Sequence, residues 1–381
     1  MHRSISIAAA RTQNGNRSER REGAPRTRAG EPGEPRDPPL KRGWLDIAMK
    51  PSLSIIFFTV SSGAGLGLLA LLALGDLLDH ALPSDALMQG IAVALALVAA
   101  GLASSVLHLA KPANAWRAFS RFRTSWLSRE AVFAASLFPV ALAYGVLAWT
   151  AEDGALRALV ALSVALLAWA VLVSTAMIYA SLKPIRQWYS AWTPVNYLLL
   201  GHWSGAVLLL GLARVHAAHE RSFGWLAGVL GAAALIAKIG QWRTITAGAR
   251  DAPTLERAIG VPKYPNEYPN KYTNKYANEA ARPPGMTVAR ARLFDVGHSH
   301  GTFLTDEFGF VLARRNAVAL RIAALSAGFG VPAAWVAFGT ADAVVAWLAA
   351  IVCLAGLLAE RWLFFAEAQH TVRLYHGAPR T

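Results

Sequence analysis

The chain has 381 residues, 55% of them hydrophobic and only 16% charged, yet its formal net charge is +14. That balance is too apolar for an ordinary soluble protein, and its basic residues fall between apolar stretches rather than on one polar domain, which argues against a nucleic-acid partner. The single cysteine, Cys353, excludes an intrachain disulfide, a cysteine-ligated iron–sulfur cluster and a cysteine-rich zinc site within this polypeptide.

Residues 1–48 are rich in Arg, Pro, Gly and Glu and read as a disordered tail, with little apolar surface to offset the entropy of ordering. Met49, in MKPSLSIIFFTV, is an alternative start of translation. Residues 49–376 then form one domain of eight apolar segments, at roughly 53–75, 88–109, 131–150, 156–180, 195–213, 223–239, 317–338 and 344–365. About 20 apolar residues per segment is what a hydrocarbon core of about 30 Å requires, because each segment must satisfy its own backbone hydrogen bonds. The expected fold is an all-α membrane bundle. Gly63 and Gly67 in the first segment are spaced for close helix approach.

The connections alternate in charge. The first carries Asp76, Asp79 and Asp85, whereas the second carries Lys111, Arg117, Arg121, Arg123 and Arg129. The third holds Glu152 and Asp153 with Arg157, the fourth Lys183 and Arg186, and the seventh only Asp342. With Lys50 before the first segment and Arg361 and Arg373 near the end of the last, the positive-inside rule predicts that both termini are cytoplasmic. The long sixth connection includes the repeat KYPN, EYPN, KYTN, KYAN, and residues 250–293 read as a mobile linker. Beyond it, residues 294–316 are expected to fold back on the bundle.

Polar chemistry gathers between His108 and Glu130. His108, at a span end, either satisfies that end or exchanges a proton and hydrogen-bonds a quinone carbonyl. Glu130 either complements a helix N-terminus or takes up protons released by a quinol. The loop arginines either fix topology and bind anionic lipid or form a docking surface for an acidic partner. A second aromatic and basic group, Tyr179, Lys183, Arg186, Trp188, Tyr189 and Trp192, falls on the same side, as an interfacial belt or as walls for a quinone ring. The candidate quinone-contacting set is His108, Glu130, Arg123, Trp126, Tyr179, Arg186 and Trp188, with His108 and Glu130 handling protons. His202 has no clear mate for haem ligation, His298 and His300 lack a third metal ligand, and Cys353 reads as packing.

Several of these residues carry a family resemblance: His108-Leu-Ala-Lys-Pro112, the run SWLSRE ending at Glu130, WYSAWTP at 188–194, and LAERWLFFAEAQHTVRLYHG at the carboxyl end. In order and placement they resemble the membrane anchor subunit of dimethyl sulfoxide reductase, over about residues 50–376. The resemblance implies an eight-helix bundle of the bacterial inner membrane, without haem or metal of its own. Such a bundle is non-catalytic and exchanges electrons between ubiquinone or menaquinone and an iron–sulfur subunit with four clusters, which serves a molybdopterin catalytic subunit. It also puts the family's quinol-site histidine on His108 and its glutamate on Glu130. The charge pattern favours anchors of cytoplasm-facing, sulfite-oxidising members over the anchor of a periplasmic reductase. The competing class is a secondary transporter, whose polar groups would gather at the membrane midplane.

Overall fold

The structure, a computed structural model, describes residues 53–107, 112–150, 154–248, 254, 314–371 and 374. The predicted tail, His108 and all of the predicted linker except Thr254 lie outside the described residues. Among the described residues, eight helices are long and apolar enough to cross a membrane: α1 (Leu53–Leu77), α2 (Ser84–Leu107), α3 (Trp126–Trp149), α4 (Ala155–Ala180), α5 (Trp192–Val215), α6 (Glu220–Gly248), α7 (Ala317–Phe338) and α8 (Ala343–Ala366). A short 3-10 segment, Pro112–Arg121, lies between α2 and α3.

Two helices form the centre. Eighteen of the 25 residues of α1 are buried, and α5 is buried along most of its length. The outer helices instead leave large apolar side chains exposed, among them Leu142, Trp225, Ile236 and Phe338, as expected where the surrounding solvent is hydrocarbon. Without a hydrophobic force between helices in lipid, association depends on close packing and polar contacts. Both occur. A Cβ on Gly67 would stand 2.0 Å from the Gly201 carbonyl oxygen, so α1 and α5 meet backbone to backbone. Ser61 Oγ donates to Leu97 O at 2.7 Å, joining α1 to α2.

Three features stand out against the hydropathy reading. Helix α3 begins at Trp126, where Ser125 caps it by accepting from Ser128 N, so Glu130 lies more than one turn inside the helix instead of opening it. Helix α6 runs for 29 residues, about 43 Å at 1.5 Å per residue, because the polar run after Lys238 continues helically beyond the apolar core. Helix α7 contains one wide π turn at Ser326–Gly330. There the Gly328 carbonyl accepts from Trp203 Nε1 at 2.8 Å, and Gly356 of α8 packs so tightly that a Cβ on it would fall 2.0 Å from Gly328 N. Cys353 is buried with its Sγ 3.5 Å from the same carbonyl, a packing role as expected.

Candidate functional site

The antiparallel course of the helices gathers the starts of α1, α3, α5 and α7 and the ends of α4, α6 and α8 at one end of the bundle. Glu130 lies there, about 6 Å along α3 from its start, and is 3% exposed. Its Oε1 is hydrogen-bonded to Thr175 Oγ1 of α4, and Thr175 Oγ1 also lies 3.0 Å from Val171 O. A hydroxyl has one hydrogen. When Glu130 is ionised, Thr175 donates to it; when Glu130 is protonated, the carboxyl donates to Oγ1 and the hydroxyl turns to Val171. The pair thus accommodates either protonation state without moving a helix.

Beside it, Tyr179 stacks on Tyr197 at 5.8 Å between centroids and meets Trp188 edge-on at 5.2 Å. Trp188 donates its Nε1 hydrogen to Phe364 O at 2.9 Å, and Phe364 and Phe365 complete the cluster. These rings pack on one another, so Tyr179 and Trp188 form an aromatic wall, with Tyr179 on the same helix as Thr175. Arg186 stands elsewhere, at a cavity of about 680 Å³ shared with Tyr189, Gln241, Arg314, Arg321 and Glu367. Arg123 is exposed. Trp126 is half-buried beneath Arg129, whose guanidinium carbon lies 4.2 Å from the ring centroid and whose Nε and Nη2 donate to Phe122 O and Arg123 O. The structure therefore puts Glu130 against the α4 helix that carries Tyr179, packs Tyr179 on Trp188, sets Arg186 apart, leaves Arg123 on the connecting loop and places Trp126 at the first residue of α3. The predicted partner of Glu130, His108, lies outside the described residues, as do His298 and His300.

The sequence reading missed an ion cluster at the same end. Lys238 of α6 pairs with Glu360 of α8 and donates to Gln241 Oε1 at 2.7 Å. Arg361 Nε donates to Glu360 Oε2 at 2.5 Å, and its guanidinium carbon lies 4.5 Å from the centroid of the Tyr197 ring. All three charged residues are buried. Arg361 is consequently not a topology-setting charge, as the positive-inside count had it, but one member of an internal cluster. The available signal was the presence of three ionisable groups inside apolar segments, which insertion costs make rare without a use.

Elsewhere, His202 has both ring nitrogens engaged: Nε2 accepts from Trp169 Nε1 at 2.9 Å and Nδ1 donates to Leu198 O at 2.7 Å. At the opposite end Arg157 forms a two-pronged pair with Asp76, at 2.8 and 2.9 Å, and Tyr144 Oη donates to the same carboxylate at 3.0 Å. The lone cation of the third connection is thereby neutralised. Among the described residues, no three or more His, Cys, Asp or Glu side chains converge in a way that would hold a metal ion.

An eight-helix apolar bundle of this kind defines a multi-pass membrane protein, here with Glu130, Lys238, Glu360 and Arg361 buried toward one end. Residues 48–250 match the family of the DMSO reductase anchor subunit (DmsC). The chain is also 31% identical over 353 residues to a subunit of the sulfite dehydrogenase of Allochromatium vinosum, an alignment covering 86% of this chain and 99% of that protein. No solved structure matches it. The chain belongs to the DMSO reductase anchor subunit family.

Proposed function

We propose that this chain is the membrane anchor and quinone-reactive subunit of a molybdopterin oxidoreductase complex of the bacterial inner membrane. It passes electrons between ubiquinone or menaquinone and an iron–sulfur partner subunit with four clusters, which serves the molybdopterin catalytic subunit. The observation that carries this reading is the Glu130–Thr175 pair: a buried carboxyl built to hold or release a proton near one end of the bundle. Its Oε1 is engaged, while Oε2 receives no hydrogen bond from a described residue and is available to a quinone or quinol oxygen. The donor set therefore fits such a head group. When bound, the quinone supplies a two-electron, two-proton couple.

The chain's own residues do the rest. Glu130 exchanges protons at either oxygen, and Thr175 turns its hydroxyl when the proton sits on Oε1. The aromatic wall of Tyr179, Trp188 and Phe364 supplies flat rings at the same end of the bundle. His108 is the second proton-handling group on the strength of the family resemblance, and Trp126, Arg123 and Arg186 are the remaining candidates for contact. The exposed arginines between α2 and α3 support a docking surface for the iron–sulfur partner on the cytoplasmic side. That side, together with the named activity of the Allochromatium relative, favours sulfite oxidation with quinone as acceptor over the periplasmic reductase reading.

Purification of the tagged chain from native membranes, followed by titration with a quinone analogue, tests this. A molybdenum protein and an iron–sulfur protein should accompany it, and Glu130→Gln should weaken analogue binding at least tenfold. A chain that comes out alone, or analogue binding unchanged by the substitution, would overturn the proposal.

A further inference from the structure

We propose that the cavity of about 680 Å³ at the ends of α6 and α8 is a site for the phosphate head group of an anionic glycerophospholipid. The inference goes beyond the quinone reading and stands apart from it, because it rests on the lining of that cavity alone.

Among the described residues that line it, three guanidiniums, those of Arg186, Arg314 and Arg321, meet one carboxylate, Glu367. Arg321 Nη2 already engages that carboxylate at 2.6 Å. Arg314 is held against the end of α8, its Nε donating to Ala366 O at 3.2 Å and its Nη2 to Ala368 O at 3.4 Å. The two lining amides add donors. Gln187 Oε1 accepts from Gln369 N at 3.2 Å and Gln241 Oε1 from Lys238 Nζ at 2.7 Å, so each amide has its N–H2 left to offer. Gln241 is 1% exposed, and neither its Nε2 nor the buried Arg321 Nε has a hydrogen-bond partner. Buried donors are costly to leave unmatched, so these two call for an acceptor within the cavity.

The lining fits an acceptor-rich anion, and its position says which. The cavity lies where the spans end, at the level of lipid head groups, beside α6 and α7, the two least buried of the eight spans. Val318 and Ile322, on either side of Arg321 in sequence, are 70% and 61% exposed and offer apolar surface to acyl chains. A phosphodiester presents its oxygens to planar guanidinium forks in pairs, and basic pockets between membrane helices take such head groups. The volume falls within the range of about 300–1,000 Å³ usual for small-molecule sites. Water would satisfy the two buried donors, but it brings no negative charge to a lining of three guanidiniums and one carboxylate.

The test is native mass spectrometry of the full chain, purified with the proteins that accompany it and stripped of lipid in detergent. It is titrated separately with short-chain phosphatidylglycerol, phosphatidylcholine and inorganic phosphate. One phosphatidylglycerol is expected to bind at least tenfold more tightly than phosphatidylcholine, and Arg321→Gln should abolish that preference. Gln241→Glu keeps an oxygen for Lys238 but sets a carboxylate where the amide donor was. It should weaken phosphatidylglycerol binding at least tenfold, and it remains informative should Arg321→Gln fail to fold. Equal affinity for the two lipids, or a preference that survives Gln241→Glu, would overturn the proposal. Inorganic phosphate bound as tightly as phosphatidylglycerol would reassign the cavity to a free anion. Unchanged lipid binding in a Gln241→Glu chain that loses its co-purifying partner would reassign it to an acidic segment of that partner, and either result overturns the lipid assignment.

Discussion

Lys238 and Glu360 meet as an ion pair inside the bundle, from helices far apart in sequence, with Arg361 closing on the same carboxylate. Removing Glu360 leaves two buried cations without compensation in a medium where that is costly. Glu360→Ala should destabilise the folded chain by about 3–5 kcal/mol, whereas Lys238→Met combined with Glu360→Gln, which leaves the net charge of the cluster unchanged, should cost much less. Thermal unfolding in detergent, followed by loss of the monodisperse chromatographic peak, measures both. Equal losses in the two variants would contradict the pairing.

Backbone contact between α1 and α5 leads to a second expectation. Gly67→Ala places a methyl group where the Gly201 carbonyl already stands, so the two central helices must part; overpacking of this kind costs about 1–3 kcal/mol. Gly228→Ala, at a glycine with nothing within 4 Å of the added carbon, serves as the control and should leave the unfolding temperature unchanged.

The wide turn of α7 depends on an indole. Trp203→Phe keeps an aromatic ring but withdraws the strong donor from the Gly328 carbonyl, leaving a buried acceptor with only the weak Cys353 thiol, at a cost of about 1–3 kcal/mol. Amide exchange should show faster opening around residues 326–330 than in the rest of α7.

How much of this was legible beforehand differs element by element. Hydropathy located all eight spans because membrane insertion reads nothing else, and it missed the last nine residues of α6 because those turns leave the apolar layer. Glu130 stood out as a carboxyl beside a span. The Lys238–Glu360–Arg361 cluster did not, because Lys238 and Glu360 become partners only once α6 packs near α8, and Arg361 alone looks like one more arginine at a span end. The aromatic slot suggested by Tyr179 and Trp188 was readable as composition, but composition says nothing about whether rings face a ligand or each other.

At the end of α8, His370 pairs by its backbone with Ile185, and Thr371 N donates to Pro184 O at 3.1 Å. Partial burial holds the His370 imidazole below its usual pKa, so the unfolded segment binds a proton more readily than the docked one. Docking is therefore at full strength above the ordinary histidine range and weakens as pH falls through it toward the lowered value. Proteolysis at the carboxyl end should quicken between about pH 7.5 and about pH 5.5, values spanning the usual histidine pKa of about 6.5. His370→Gln should flatten that response; a response unchanged by the substitution would assign it to another group.

The central claim is that Glu130 handles the protons of a bound quinone while the complex itself assembles without it. The most direct measurement is the ratio of quinone-coupled to artificial-dye-coupled turnover in purified Glu130→Gln complex. The account predicts dye-coupled turnover at the wild-type rate and quinone-coupled turnover reduced by at least two orders of magnitude, the usual contribution of a positioned acid–base group. A wild-type ratio in an intact complex would contradict it.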